Sequence, residues 1–298
     1  MIDFLKYRKF VALYSLLLVV GGIAVYFYKE QTYGEAFSYS IDFNGGTQIW
    51  LRFDGPVDSQ KVRTVLEDNG WKNPVLREFP AKQELLVRVQ EFVSDSKGLA
   101  DKITQKINES ISDNRAQVLQ SEGVGPSIGA ELRQQSIYAV LFSLIALLLY
   151  IAFVFWSFAF AFGAVVALVH DALIMVGFFL LFDREISINV IAAILTVLGY
   201  SINDTIIIFS YIRNQLKKNT TGSLYDVVNV SINKTLRRTI LTSFATTLVV
   251  VSMLVFGGEV LRDLSLTLLI GIVFGTYSSI FIASPVMMLF YNRKEAKA

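Results

Sequence analysis

One aspartate lies inside a run of residues that is long enough to cross a bilayer. In the apolar segment 186–212, Asp204 is the only side chain with a formal charge. A carboxylate at the centre of a membrane helix costs about 2.5–3.5 kcal/mol, so such residues usually face a bundle interior and carry ions or protons. The alternative is a protonated carboxyl that only hydrogen-bonds to a neighbouring helix. A second polar pair, His170 and Asp171, lies midway along another apolar run, and the two sites together favour ion-coupled work in a membrane.

Polar side chains accompany Asp204 along its own segment. At helical spacing, one face carries Thr196, Tyr200, Asp204 and Tyr211, with Asn203 beside it. His170 and Asp171 are adjacent, so on a helix they point about 100° apart and need not act together. Asp171 either faces the same interior as Asp204 or makes a structural polar contact. We predict that Asn203, Tyr200, His170 and Asp171 support a proton relay centred on Asp204.

The next apolar run carries a basic residue followed by threonines. Arg238, Thr242 and Thr246 recur at four-residue spacing. Arg238 either anchors the helix end at the membrane surface by snorkelling or reaches inward to pair with Asp204. An arginine that approaches ionised Asp204 and leaves it on protonation would convert proton binding into helix movement. We predict that Arg238 belongs to the relay, with Thr242 as a supporting residue.

Composition indicates a polytopic membrane protein. The 298 residues are 53% hydrophobic and only 17% charged, and the mean hydropathy is +0.51. Cysteine is absent and there is one histidine, which argues against disulfides and against thiolate or multi-histidine metal sites. There is no basic stripe with interleaved aromatic residues, as nucleic-acid binding would require. With no nucleophile elbow, catalytic carboxylate pair or zinc signature, we expect a protein that is not an enzyme and has no cofactor. The coupling ion is expected to be the proton, with sodium left open.

Six apolar segments are long enough to span a membrane. They lie near residues 10–28, 137–156, 158–182, 186–212, 239–256 and 264–291. The first lacks a small-x-small cleavage pattern at its end and is expected to be a retained anchor. Basic residues are concentrated in the N-terminal segment, in the predicted 213–238 loop and in the tail 292–298. By the positive-inside rule both termini are expected to be cytoplasmic.

The remaining polar segment, 29–135, separates a first part (1–28) from the other spans (136–291). It contains 29 of the chain's 52 charged residues, so it must lie in water, on the extracytoplasmic side. Alternating patterns predict strands at 39–43, 47–53, 75–79, 85–89 and 116–121, and helical patterns predict helices at 58–69 and 95–112. This order favours a ferredoxin-like α+β domain. Asn44-Gly45-Gly46 predicts a tight turn after the first strand.

A glycine-rich segment joins the external domain to the second span. Gly123, Gly125, Pro126 and Gly129 lie within seven residues, which is typical of a turn or a hinge. A passive connector and a hinge that lets the domain swing are both consistent with this pattern. In the sixth span, Gly271, Gly275 and Ser279 recur at four-residue spacing and predict a close helix-packing face.

Together these motifs resemble the SecF branch of the SecD/SecF family of bacterial protein export. The matching stretches are IDFNGGT (41–47), VGP (124–126), HD (170–171), GYSINDT (199–205), TLRRT (235–239), FGG (256–258) and GTYSS (275–279). They occur in order along nearly the whole chain. Ser40 departs from the family pattern, in which a glycine commonly precedes the first motif, and the 156–157 hairpin lacks the basic residues often found there.

The resemblance implies a six-span half of a resistance-nodulation-division-like bundle in the bacterial cytoplasmic (inner) membrane, with an exported ferredoxin-like domain. It implies SecD as the obligate partner half, and SecYEG, SecA, YajC and YidC as further partners. The implied activity uses the proton-motive force to draw unfolded preprotein from the SecYEG channel after the ATP-dependent steps of SecA. By position, Asp204 corresponds to the family's proton-relay carboxylate and Arg238 to the basic residue of the fifth span.

Two other functions fit the same half-bundle. A small-molecule or lipid exporter subunit would predict an apolar ligand tunnel in the external domain, whereas segment 29–135 is modest in size and strongly mixed in charge. A passive translocase scaffold would need no proton coupling, and replacing Asp204 by Asn would then leave export unchanged.

Overall fold

The computed structural model describes residues 1–218 and 223–291, the side chains of residues 259 and 260 aside. The chain divides into two compact units: Met1–Ser38 with Tyr138–Ala298, and Tyr39–Ile137. The second unit ends two residues after the predicted domain, 29–135, and starts ten residues later; the first helix continues to Tyr33 and so takes in the first five residues of that predicted domain. The predicted tail 292–298 lies outside the described residues.

The elements up to the second span are α1 (Arg8–Tyr33), α2 (Ile41–Asn44), β1 (Gly46–Phe53), α3 (Ser59–Asp68), β2 (Val75–Phe79), β3 (Glu84–Val89), α4 (Ser96–Ser110) and β4 (Ala116–Val124). The remaining helices are α5 (Pro126–Phe155), α6 (Phe158–Leu181), α7 (Ile188–Lys218), α8 (Leu224–Phe256), α9 (Gly258–Ser278) and α10 (Ser284–Phe290). Six helical segments in the described residues are long and apolar enough to cross a membrane, as predicted.

The predicted 213–238 loop is wrong over most of its length. α7 continues to Lys218 and α8 begins at Leu224, where the hydroxyl of Ser223 accepts a hydrogen bond from the backbone N–H of Asp226. Hydropathy marks where a helix leaves an apolar environment, and polar helix formers can extend the same helix into water. Arg238 therefore lies well inside α8 and not at its start.

Glycines allow helices of the membrane unit to pack closely. A Cβ built on Gly22 of α1 would lie 3.6 Å from the Cα of Gly177 of α6. One built on Gly275 of α9 would lie 3.0 Å from the Cβ of Ser201 of α7, and one on Gly271 would overlap Val197. The predicted small-residue face of the sixth span is thus confirmed as the surface that packs on α7.

The sixth span is interrupted by a wider turn. Residues Ser279–Ala283 form a π-helical segment between α9 and α10. Pro285 has no N–H to donate and its ring crowds the carbonyl one turn earlier, so the backbone widens there. The hydroxyl of Ser284 donates to the backbone oxygen of Ser279 over 3.2 Å. The sequence pattern did not predict this irregularity.

The second unit contains a four-stranded antiparallel sheet in the order β2-β3-β1-β4, covered on one face by α3 and α4. Alternate residues of β1 and β3 point into this core, and α3 and α4 contribute apolar residues at four-residue spacing. Each helix begins at an aspartate whose carboxylate accepts backbone N–H groups, Asp58 for α3 and Asp95 for α4. The small sheet domain is confirmed; its ferredoxin-like assignment stays a prediction.

The predicted strand 39–43 is wrong. Residues Ile41–Asn44 form a single helical turn, α2, because the hydroxyl of Ser40 caps it by accepting from the backbone N–H of Asp42. A turn is present at the predicted glycines, where Gly45 has φ +76° and Gly46 has φ +110°, values that favour glycine, but it joins α2 to β1 and not two strands.

Candidate functional site

Asp204 is buried within the membrane unit. Its side chain lies on α7 with a relative exposure of 2%. Among the described residues, its Oδ2 atom has no hydrogen-bond partner. Buried polar atoms in folded proteins are nearly always paired, because an unpaired one loses its interactions with water without compensation. An ionised carboxylate here would be destabilised, so the site favours a group that exchanges a proton.

The register between α7 and α8 places Arg238 near Asp204. Thr246 and Tyr200 share a hydrogen bond of 3.2 Å between their hydroxyls. The two helices form a hairpin and run in opposite directions, so Asp204 lies about level with Thr242, and Arg238 lies one turn, about 6 Å, further along. No ion pair joins Asp204 to Arg238 in the described part of the chain. An axial separation of this size is within the range over which two charges interact in a low-dielectric interior.

A threonine ladder connects these residues along α8. Thr246 Oγ1 donates to the backbone oxygen of Thr242 over 3.0 Å, and Thr242 Oγ1 donates to that of Arg238 over 3.0 Å. Such side chain-to-backbone bonds satisfy hydroxyls inside an apolar helix and loosen its backbone slightly. The predicted polar stripe of α8 therefore faces α7 through Thr246, while the guanidinium-bearing Arg238 is exposed on this chain.

One face of α7 is not covered by this chain. Its exposed residues recur at spacings of three and four: Asn189, Ala192, Thr196, Gly199 and Asn203. A Cβ built on Gly199 would meet no atom within 4 Å. Small and polar residues at this spacing let another helix approach closely in a membrane. Asn203, predicted as a supporting residue, thus points away from the buried side of Asp204.

Asp171 is hydrogen-bonded to side chains of two other helices. It is completely buried. Its Oδ2 accepts from Ser201 Oγ of α7 at 2.7 Å and from Ser278 Oγ of α9 at 2.8 Å. Its Oδ1 lies 3.1 Å from Nδ1 of His170, whose Nε2 is buried and unpaired among the described residues. Asp171 therefore joins α6, α7 and α9, and His170 and Asp171 do act on each other despite their angular separation.

Two serines of this cluster were not anticipated. Ser201 lies on the buried face of α7 three residues before Asp204, so the Asp171 cluster and Asp204 occupy neighbouring turns. Ser278 is the last residue of α9, immediately before the π-helical segment. Neither serine belongs to the small-residue set Gly271, Gly275 and Ser279 that the sequence analysis used, and no local pattern indicates a hydrogen bond from them to Asp171.

The glycine-rich connector is packed rather than open. Gly123 lies in β4, and Gly125 alone separates β4 from Pro126, the first residue of α5. A Cβ built on Gly129 would lie 2.9 Å from the backbone oxygen of Phe43. A Cβ on Gly45 would lie 2.7 Å from the Cα of Pro126. The start of α5 is therefore seated on the turn after α2, and the hinge remains a prediction.

Comparisons with known proteins agree with the sequence motifs. A family model described as "Protein export membrane protein SecD/SecF, C-terminal" matches residues 103–293. The protein translocase subunit SecF of Thermodesulfovibrio yellowstonii is 37% identical over 97% of this chain and 94% of its own. SecF of Escherichia coli O157:H7 is 35% identical over 98% and 89%.

A crystal structure is known for a relative that is named as a fused SecDF protein. The SecDF protein of Thermus thermophilus is 38% identical over 99% of this chain and 39% of its own. A crystal structure of that translocon-associated membrane protein superposes with a TM-score of 0.85 over 97% of this chain and 38% of the other. The chain thus spans about two fifths of the fused protein.

Proposed function

The chain belongs to the SecF family of protein translocase subunits, and from this premise we propose that it couples proton movement to preprotein export. The observation that carries the proposal is a buried carboxylate, Asp204, with an unpaired oxygen about one helical turn from an arginine. Such an arrangement changes its electrostatic energy whenever the proton moves.

The proposed cycle begins with Asp204 ionised and attracting Arg238. Protonation from the outside removes most of that attraction, and Arg238 moves away from α7. A proton that crosses a potential of 100 mV supplies about 2.3 kcal/mol, which is enough to shift a nearly balanced equilibrium between two helix arrangements. Tyr200 and Thr242 line the region in which α7 and α8 would move, and Asn203 lies on the uncovered stripe of α7. Transmission to the external domain would pass through the start of α5.

We propose SecD as the partner half. An uncovered stripe of small and polar residues on α7, next to Asp204, would otherwise face lipid, where polar groups are unfavourable. The fused SecDF relative carries both halves in one chain, which supports this pairing. A second half seated on this stripe would place its own groups beside Asn203 and exclude lipid from the relay.

The wider setting follows from the family and from charge. We propose a bacterial inner-membrane location with both termini cytoplasmic and the sheet domain extracytoplasmic, where it would contact unfolded preprotein that leaves the SecYEG channel after SecA has acted. YajC and YidC are proposed as associated subunits. The basic residues Lys217 and Lys218 in the last turn of α7 support this orientation. The subunit itself is proposed to act without enzymatic chemistry and without a cofactor other than the coupling ion.

The proposal is tested by secretion of a reporter from cells that carry Asp204→Asn or Arg238→Met, each with and without an uncoupler. We expect both variants to reduce secretion to the level of uncoupled wild-type cells and to lose further sensitivity to the uncoupler. Asp263→Asn is the matched control, because Asp263 pairs with Arg184 at the opposite end of the unit and lies outside the relay.

The same assay separates the alternatives. Normal secretion and retained uncoupler sensitivity in both variants would favour a passive scaffold and refute the relay. If secretion still depended on a sodium gradient when the proton gradient was abolished, Asp204 would remain the proposed ion site, but the coupling ion would be sodium. Neither result would alter the membership of the chain in the SecF family.

A further inference from the structure

A groove runs along the outside of the membrane unit between α1, α6 and α10. Its volume is about 560 Å³. Most of its walls are aliphatic, formed by residues such as Ala12, Leu16, Val166, Val286 and Leu289. Ser15, which shares a 2.8 Å hydrogen bond with the hydroxyl of Tyr277, and His170 lie deeper along it. This groove is separate from the uncovered stripe of α7, since no α7 residue lines it.

The length of the groove matches one leaflet. On α1 it extends from Arg8 to Val19. At 1.5 Å per residue this stretch of helix is about 17 Å long. Half of a hydrocarbon core that is about 30 Å thick is about 15 Å. The groove therefore accommodates a chain that enters at one membrane surface and stops near the middle of the bilayer.

Charge is found at one end only. Arg8 and Lys9 are the charged residues that line the groove, and no described acidic side chain lines it. Neither belongs to an ion pair among the described residues. The guanidinium of Arg8 lies 5.7 Å from the centre of the Tyr225 ring, at the outer limit of a cation–π contact. Arg8 and Lys9, at the basic end of the groove, can therefore bind an anion without breaking an ion pair.

The basic end is also held in place. The side chains of Asn229 and Asn233 on α8 clamp the segment before α1 by hydrogen bonds to the backbone of Ile2 and Phe4. Leu5, in the turn that follows, is 2% exposed. Arg8 and Lys9 are therefore presented from an anchored segment and not from a free terminus, so less conformational entropy is lost when they bind an anion.

We propose that this groove binds one acyl chain of an anionic phospholipid, whose phosphate lies against Arg8 and Lys9. Non-selective contact with surrounding lipid would fill the apolar part without regard to headgroup. The paired basic residues at a single end add a preference for negative charge, and basic pockets of this kind on the cytoplasmic side commonly hold anionic headgroups. The site would attach a lipid to the α1–α6–α10 side of the subunit, away from the face proposed for SecD.

The test uses the purified complex of this chain with its SecD half in detergent micelles. Phosphatidylglycerol or phosphatidylcholine with the same acyl chains is titrated, and bound lipids are counted by native mass spectrometry. We expect one phosphatidylglycerol site that is preferred by about tenfold or more over phosphatidylcholine, as two basic contacts predict. The double variant Arg8→Gln, Lys9→Gln should bring the preference to within about twofold.

Two further variants make the result specific. Lys6→Gln removes an exposed charge from the same segment but outside the groove, and should keep the preference. Ala12→Phe narrows the groove and should weaken both lipids together. Equal binding of the two lipids by the unmodified complex, an unchanged preference in the double variant, or occupation of the groove by a protein helix of the complex would each overturn the proposal.

Discussion

Ser201 of α7 donates a hydrogen bond of 2.7 Å to Oδ2 of Asp171 of α6, and this bond links the helix that carries Asp204 to the centre of the bundle. Ser278, the residue that precedes the π-helical segment, donates to the same oxygen at 2.8 Å. Three helices are thus held by one carboxylate oxygen. A movement of α7 relative to α6 that separates Ser201 from Asp171 would break this bond. Asp171 therefore contributes to the free energy that such a movement requires.

Asp171→Ala should therefore destabilise the membrane unit. The change leaves the buried hydroxyl of Ser201 without its acceptor, and an unpaired buried group costs about 1–3 kcal/mol. Asp171→Asn keeps the shape and one carbonyl acceptor, so its loss of stability should be smaller. Thermal unfolding of the purified complex measures both. Identical midpoints for the Ala variant and the unmodified protein would show that this cluster does not hold the helices together.

The sequence predicted the helices and the key acid but not this link. Asp204 was identifiable because it is the only charge in a long apolar run. The helices predicted at 58–69 and 95–112 were identifiable from their helical patterns, and they correspond to α3 and α4. The bond from Ser201 to Asp171 joins residues 30 positions apart, and depends on how α6 and α7 are rotated about their axes. Single-chain periodicity contains no information about that rotation, which results from packing.

Local sequence patterns also gave a wrong prediction where the same residues are compatible with both a strand and a helical turn. Residues 39–43 alternate in polarity, which predicts a strand, but Ser40 is also a good helix cap and the glycines that follow permit a sharp reversal. The cap and the close contact of Gly45 with Pro126 decide in favour of a helical turn. That contact depends on a segment about 80 residues away, so it could not be inferred locally.

Gly163→Ala should also destabilise the bundle. A Cβ at this position would lie 2.7 Å from the backbone oxygen of Ala283 and 3.0 Å from the Cβ of Met287. Because backbone atoms of the π-helical segment cannot rotate away, α6 and α10 must separate, at a cost of about 1–3 kcal/mol. The measurement is again the unfolding midpoint of the purified complex. An unchanged midpoint would mean that the span relaxes without loss of packing.

Substitutions of Gly199 provide the control for Gly163→Ala and also a separate prediction. Gly199→Ala should leave the fold intact, since its Cβ would meet no atom within 4 Å. Gly199→Leu should leave the chain folded but reduce the amount of SecD that co-purifies with it several-fold, because a large side chain on the uncovered stripe prevents close helix approach. Undiminished co-purification would exclude this stripe as the partner interface.

Two substitutions in the connector between β4 and α5 distinguish a flexible hinge from a packed joint. Gly129→Ala should destabilise the joint, since the new Cβ would lie 2.9 Å from the backbone oxygen of Phe43. Gly123→Ala should be nearly neutral, because its Cβ would make only a 3.4 Å contact with the Cβ of Ser96. Limited proteolysis of the external domain and reporter secretion measure the two effects. Equal loss of secretion in both variants, with unchanged proteolysis, would instead indicate that glycine flexibility itself is required.

The amide clamp on the N-terminal segment leads to the last prediction. Asn233 accepts from the backbone N–H of Ile2 at 2.9 Å, and Asn229 accepts from that of Phe4 at 3.0 Å. Replacing both by Ala should release the segment, so hydrogen exchange in a peptide covering residues 1–7 should become faster by about tenfold or more if each bond contributes about 1 kcal/mol. Asn214→Ala, an exposed amide on α7, is the control and should leave exchange unchanged.

The same double variant should weaken the preference for phosphatidylglycerol, although it leaves Arg8 and Lys9 in the sequence. Release of the segment lets both basic side chains leave the groove, and the entropy of ordering them again opposes headgroup binding. Faster exchange with an unchanged lipid preference would show that the two basic residues find the anion without the clamp. Unchanged exchange would show that burial of Leu5, and not the amide hydrogen bonds, holds the segment on α8.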